Sequence, residues 1–506
     1  MLSKLSQIFK AFSKTERWVY AASFLIFLIA FIVFIINFIQ TNTVLSPVDG
    51  GAYTEGVVGQ PIFINPVFSE NNNPDSDIVK LVFADLKNIS DNYQISSDKK
   101  TFNIRIKGGI FWQDSQPLTA DDVIFTIKAI QDPDVNSPLY QSWKEVKVER
   151  VSEREIKIIL PNSYAYFENI MLNLRPIPKH IFGGVPFANL KLSNYNLEPV
   201  GSGPFKFSAA VKRRDGFITE ITLDKNKDYF GPKPYLDKFY FKFYSNEDDL
   251  VKAFNSGDIS GFSLIETKKM SEINIPHQTA GIKMPRYYAV FLNPYNNPLL
   301  KDGSLRSALN LTTDKQKIVK AVFGENAFAI KGPLIFSDIN YNAAEEFAPD
   351  KAKEILESNE WHLNSDGVRE KKDKSVSSKL EFTLSVYPNP FLTETAKIIQ
   401  EEWSEIGVKV NINIGSLADF SEEIIKPRNY EMLLFGNIYG ENLDPFSFWH
   451  SSQKFHPGLN LSLYENKNAD FLIELIKSDF NQEKRREEIK TLQSIIIKDQ
   501  PAIFLY

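Results

Sequence analysis

One stretch of the chain is apolar without interruption. From Trp18 to Ile39 only Ser23 and Asn37 are clearly polar, and no residue is charged. In a helix rising about 1.5 Å per residue, these 22 residues cover about 33 Å, enough to cross the hydrocarbon of a bilayer. Lys4, Lys10, Lys14 and Arg17 stand before the run against Glu16 alone, and cytoplasmic flanks carry the positive charge. The pattern therefore puts residues 1–17 in the cytoplasm, a transmembrane helix at 18–39, and the main body on the extracellular or periplasmic side. The competing reading is a cleaved signal peptide, whose apolar core is shorter and is followed by a small-x-small cleavage site. The residues after the run, QTNTVLSPVDGG, offer no such site. The chain reads as a single-pass protein of the cell membrane.

Beyond the run the pattern changes. Residues 40–56 are rich in Thr, Asn, Ser, Pro and Gly and read as a linker. After them, period-two alternation predicts strands at Phe102–Ile106, Glu155–Leu160, Phe239–Phe243 and Val408–Ile414. Helix-start signals fall between these stretches. Thr119 with Asp122 three residues on resembles a capping box and starts a helix to about Ile130. Thr313 with Gln316 predicts another, and Pro349 suits the first turn of a helix through Glu360. A helix from about Thr393 should stop at Gly407. Interleaved strands and helices without a repeat make an α/β or α+β body of two or three domains.

Charge and composition narrow the function. Taking the four basic residues and one acidic residue of the first 40 from the chain's 58 and 63 leaves 54 and 62, a formal −8. Such a body has no excess of positive charge to neutralise phosphates, so nucleic acid is not its partner. With no cysteine, disulfides, thiolate metal sites and cysteine nucleophiles are excluded. His450 and His456, six apart, read as surface or half-buried residues rather than as a metal pair. Asp121-Asp122 and Asp248-Asp249 sit where helices should start, and negative charge favours a helix N-terminus. No paired carboxylates, nucleophile elbow or phosphate loop marks an enzyme. Aromatics are 13% of the chain, and some stand in loops beside turn residues, as in NIYGENLDPFSFWHSSQ (437–453) and RYYAVFLNPYNNP (286–298). An aromatic-walled cleft with a few polar groups is the usual form of a small-ligand site; core packing is the alternative for each ring.

Seven segments then take on a common meaning. SSDKKTFNIRIKGGIFWQDSQPLTADDVIFTIKAI (96–130), GSGPFKF (201–207), LDKNKDYFGPKPYLDKFYFKFY (223–244) and AFNSGDISG (253–261) follow one another in order. LRSALNLTTDKQKIV (305–319), PDKAKEILESNEW (349–361) and ETAKIIQEEWSEIGVKVNI (394–412) complete the series. Together they resemble the extracellular solute-binding proteins of the peptide/nickel class, family 5, which include the oligopeptide- and dipeptide-binding proteins of ABC importers. Ser260 departs from that pattern, standing where an Asp is usual.

The resemblance implies an α/β, two-lobed periplasmic-binding-protein-like clamp of type II with an extra small domain. It divides the chain into a first lobe (57–90, 200–280 and 490–506), a small domain inserted in it (91–199) and a second lobe (281–489). It implies a monomer that needs no cofactor or metal, captures peptides between its lobes and delivers them to an ABC permease. A peptide held in extended form pairs main chain with main chain, as an added strand would. Gln60, Ile62 and Phe63 then lie beside the ligand in the first lobe, and Ile438 and Tyr439 in the second. Glu441 matches the acidic residue that pairs with a peptide's α-amino group; the competing reading is a solvated loop beside Asp444-Pro445. Trp449 and Arg286 are further candidates, with a plain surface arginine as the alternative for the latter. The same fold could instead take a nickel chelate, an oligosaccharide or an opine-like molecule. An envelope enzyme or a sensor domain is the reading from another class.

Overall fold

The computed structural model describes residues 12–44, 46–69, 72–264, 267–324, 326–335, 347–373, 376–416, 419–439 and 443–506. The chain divides into two compact units, residues 1–51 with 234–237, and the remainder. The first unit contains helix α1, Lys14–Asn42, none of whose residues is buried. Ser13 caps it in a true capping box: its hydroxyl accepts from the Glu16 amide, and the Glu16 carboxylate accepts from the Ser13 amide at 2.8 Å. Among the described residues α1 is the one helix long and apolar enough to cross a membrane, and it fits an anchor or a signal sequence equally.

The second unit begins with β1 (Ala52–Val58), α2 (Asn73–Val82), β2 (Ser90–Ile95), β3 (Thr101–Ile106), α3 (Ala120–Gln131), β4 (Lys147–Arg150) and β5 (Glu155–Ile159). It continues through β6 (Phe205–Lys212), β7 (Ile218–Lys225), β8 (Lys238–Tyr244), α4 (Glu247–Ser256) and β9 (Gly261–Phe262). Strands β6-β7-β8-β1-β9 form a five-stranded sheet, with β1 parallel to both neighbours. Residues 52–56, expected in the linker, are strand. Their paired register with β8 runs from Ala52 on Lys238 to Val58 on Tyr244, and this long-range pairing is invisible in a composition rich in turn residues. Strands β2-β3-β5-β4 form a separate antiparallel sheet. Phe102, Ile104 and Ile106 of β3 are buried in alternation, and the Phe102 and Trp143 rings both meet Phe167. The Thr119–Asp122 capping box before α3 is present as expected.

The second half runs β10 (Arg286–Leu292), α5 (Gly303–Thr312), α6 (Lys315–Phe323), α7 (Pro349–Ser358), β11 (His362–Leu363), β12 (Arg369–Asp373), β13 (Val376–Lys379) and β14 (Glu381–Val386). It ends with α8 (Pro390–Ser404), β15 (Lys409–Ile414), β16 (Met432–Ile438), α9 (Lys467–Ser478), α10 (Gln482–Asp499) and β17 (Ala502–Phe504). Strands β15-β14-β16-β10-β17 form the second five-stranded sheet, and β11-β12-β13 a small one. Both faces of the larger sheet are covered. Along β10, Val290 and Leu292 enter the core made with α5, α6, α7 and α8. Tyr287, Ala289 and Phe291 enter the core made with α9 and α10. A strand buried on both faces reads as a continuous apolar run, which is what YYAVFL is.

Two expectations are corrected here. Residues 490–506 were assigned to the first lobe, yet β17 pairs antiparallel with β10, Phe504 opposite Ala289. Ile503 and Leu505 pack in one core of that sheet, and Ala502 and Phe504 in the other. The cap of α6 is Asp314, whose side chain accepts from the Lys317 amide, and not Thr313. The Thr313 hydroxyl is drawn elsewhere: it donates to Leu309 O at 2.8 Å and accepts from Trp403 Nε1 at 2.9 Å.

Candidate functional site

A cavity of about 2330 Å³ is lined by both five-stranded sheets, by residues of the segment 270–285 between them, and by α2 and α10. Each helix contributes one stripe. Asn73, Ser76, Asp77 and Lys80 of α2 stand at i, i+3, i+4 and i+7, and so do Gln482, Arg485, Arg486 and Ile489 of α10. That spacing is a single face of an α-helix. On α2, burial of Ile78, Val79 and Val82 fixes which face is left for the cavity. Aromatic wall comes from Phe254, Phe262, Phe328 and Phe391. The outermost strand of the first sheet, β9, borders the cavity with Ser260 to Leu264.

Charge is distributed unevenly over the lining. Helix α4 brings Glu247, and the first sheet and α2 bring Lys80 and the carboxyls of Glu55 and Asp77. Burial pushes both carboxyls above the usual carboxylate range, and the Asp77 charge pushes Glu55 further, while the nearby Lys80 holds Asp77 down. The Tyr53 hydroxyl donates to Glu55 Oε2 at 2.8 Å and is itself pushed up to about 12, by burial first and by Glu55 second. The second sheet and α10 bring Arg286, Arg485 and Arg486.

The Glu55 shift has a consequence for stability. A folded-state pKa above the unfolded one means that the folded chain holds the proton more tightly, so ionised Glu55 opposes folding at neutral pH. Glu55→Gln keeps an acceptor for Tyr53 and has no charge. Urea unfolding should find this variant more stable than wild type at pH 7. The difference should close as the pH falls through the raised range of Glu55. A less stable variant at pH 7 would show instead that the ionised form is favoured by the fold.

The residues expected from sequence separate into three groups. Arg286 lines the cavity, with its guanidinium donating to the Tyr288 hydroxyl at 3.3 Å. Ile438 pairs with Arg286 across the ladder, is 45% exposed, and lies outside the lining. Tyr439 and Trp449, expected on the ligand wall, are each 1% exposed and belong to the core instead. Trp449 Nε1 donates to the Tyr439 hydroxyl at 3.1 Å, and the two rings pack against Phe504, Tyr287 and Phe448.

Gln60, Ile62 and Phe63 also lie outside the lining. The chain turns at Gly59, with φ +97°, just past β1. Beyond that turn the Asp75 carboxylate accepts from the Ile62 and Phe63 amides at 2.7 and 3.0 Å, and Gln60 Oε1 accepts from the Ile218 amide at 2.9 Å. Glu441 falls outside the described residues. Nearby, Asp444 accepts from the Tyr164 hydroxyl at 2.6 Å, which joins its loop to the segment after β5. Asp77, Lys80, Tyr166 and Arg485 were missed by the sequence reading. For Asp77, Lys80 and Arg485 the i, i+3, i+4, i+7 stripes on α2 and α10 were the available signal, and Tyr166 lies on neither helix.

The model of the bacterial extracellular solute-binding proteins, family 5 (middle), matches residues 87–456. The oligopeptide-binding protein AppA of Bacillus subtilis is 29% identical over 482 residues, covering 91% of this chain and 87% of that one. Its structure in complex with a nonapeptide superposes with a TM-score of 0.68 at 26% identity, over 91% of this chain and 94% of AppA. The ABC transporter substrate-binding protein CtaP of Listeria monocytogenes gives a TM-score of 0.73 at 28% identity, over 90% and 92% of the two chains. NikZ of Campylobacter jejuni, in complex with Ni(L-His), gives 0.72 at 25% identity, over 90% and 92%.

Proposed function

The chain belongs to the bacterial extracellular solute-binding proteins of family 5, and from that premise we propose that it captures peptides and delivers them to the permease of an ABC importer. It is read as a binding protein rather than an enzyme, because its family serves transport.

The size of the cavity carries this reading. At about 2330 Å³ it is more than twice the upper end of the ~300–1000 Å³ range that suits one small ligand. A metal chelate of the kind bound by NikZ would leave most of that volume to water. An extended peptide, rising about 3.3 Å per residue, uses it along its length. Strand β9, at the sheet edge and in the lining, offers main-chain groups for such a peptide to pair with. Pairing of this kind gives affinity without reading side chains. Arg286 remains a ligand contact in this reading, and Glu441 remains the candidate partner of the α-amino group.

Helix α1 serves here as an uncleaved anchor, with the basic residues before it in the cytoplasm. Tethering keeps the receptor near its permease at high effective concentration, so that modest affinity suffices. The receptor acts as a monomer. One experiment tests receptor and anchor together. The full chain, extracted from membranes into nanodiscs, is weighed intact and then unfolded by heat with and without a randomised hexapeptide library. An intact mass that includes residues 1–44 is expected. Peptides at 100 times their dissociation constant should add about 2.7 kcal/mol of stability. A mass lacking the helix would remove the anchor. No stabilisation by any peptide pool, with stabilisation by Ni(L-His), would replace the ligand.

A further inference from the structure

Tyr166 stands apart from the other aromatics of the lining. It is 7% exposed, it borders the cavity, and its hydroxyl is buried without a hydrogen-bond partner among the described residues. A buried, unmade hydrogen bond carries the desolvation cost of the group with nothing in return. The Arg485 guanidinium lies over the Tyr166 ring, 5.0 Å from its centroid, and also lines the cavity. One of its nitrogens donates to Asp479 O at 2.9 Å, and it forms no ion pair among the described residues. A buried hydroxyl without a partner and a cation that holds one backbone bond but no ion pair among the described residues therefore meet at this end of the cavity.

We propose that Tyr166 and Arg485 form a subsite that takes a carboxylate of the bound peptide. The proposal rests on the peptide-binding reading above and names the chemistry of one part of that site. A guanidinium presents its donors in a planar fork that matches a carboxylate, and a ligand that dries the cavity leaves the charge in need of an opposite one. Of the two carboxylates that act on Tyr166, Asp444 is engaged and Glu488 only in part. Asp444 accepts from the Tyr164 hydroxyl at 2.6 Å and from the Phe446 amide at 2.9 Å. Glu488 pairs through Oε1 with Lys484 at 3.4 Å, but its Oε2 is buried without a partner and is the competing acceptor for the tyrosine proton. The carboxylate has two sources in a peptide, the C-terminus and an acidic side chain.

The full chain in nanodiscs is offered three hexapeptide libraries. The first has a free C-terminus and no Asp or Glu. The second is its C-terminal amide. The third is an amide with one Glu at a random position. Wild type should prefer the first or the third over the second by about tenfold to a hundredfold, the range of a charge-assisted hydrogen bond. Preference for the first identifies the C-terminus, and preference for the third identifies a side chain. Tyr166→Phe deletes only an unpartnered hydroxyl, so the fold stands, and it should lose most of the preference, as should Arg485→Gln. Arg485→Lys, which keeps the charge and loses the fork, should restore part of it. Binding of all three libraries without preference, or a preference that survives in both Tyr166→Phe and Arg485→Gln, overturns the subsite and leaves the peptide receptor intact. A Tyr166→Phe variant that loses stability and keeps the preference overturns it too, by assigning the hydroxyl to Glu488. Failure of every library to bind overturns the peptide reading and the subsite with it.

Discussion

Trp449→Ala is expected to lower the free energy of unfolding by about 3–5 kcal/mol, the range for a large aromatic removed from a packed core. The side chain is 1% exposed. Its ring meets Phe504 at 5.6 Å and Tyr464 at 6.2 Å, so truncation opens a void beneath β17 that neighbours on a sheet cannot close. The change also removes the Nε1 donor from the buried Tyr439 hydroxyl. Urea unfolding of the full chain measures the loss. The folded fraction should bind peptide as wild type does, because Trp449 does not border the cavity. The opposite result, a stable variant with weakened peptide binding, would return Trp449 to the ligand wall where the sequence put it.

That contrast shows where the sequence stops being informative. An aromatic beside turn residues reads the same whether it faces a ligand or anchors a loop in the core. Only its neighbours distinguish the two, and those of Tyr439 and Trp449 come from β10 and β17, 150 and more residues and tens of residues away along the chain. Local signals fared better. Thr119 caps α3 as its spacing with Asp122 requires, since all the atoms involved lie within one turn. Thr313 failed as a cap because Trp403, on α8, competes for its hydroxyl. The assignment of residues 490–506 to the first lobe failed for the same kind of reason: nothing within PAIFLY says which sheet edge it completes. Of the described residues named from sequence, Arg286 alone lines the cavity, whereas the stripes on α2 and α10 were visible only as helix faces with no reason to suppose that they bordered one.

Gly201→Ala should be the more damaging of two glycine substitutions on the first half of the chain, and the reason lies in the GSGPFKF segment. A Cβ at Gly201 would stand 2.0 Å from the Val82 carbonyl oxygen and 2.7 Å from its carbonyl carbon. Those are backbone atoms at the last residue of α2, and they cannot swing aside as a side chain can. The segment is also fastened there: the Gly203 amide donates to Val82 O at 2.7 Å, the Gly201 amide to Gln113 Oε1 at 3.0 Å, and the Gln113 amide to Gly201 O at 2.9 Å. Relief of the clash therefore has to move α2 or break these bonds. Overpacking costs typically 1–3 kcal/mol and more when the backbone must shift, so a loss of about 3 kcal/mol or more is expected. Gly184→Ala is the matched control, with no atom within 4 Å of the new Cβ and an effect within about 0.5 kcal/mol. The function is coupled to the same contact. Because α2 holds Asp77 and Lys80 at the cavity, a displaced helix end misplaces both, and peptide affinity should fall together with stability in Gly201→Ala. Equal unfolding midpoints for the two variants would mean that the approach of Gly201 to Val82 is not a constraint of the fold.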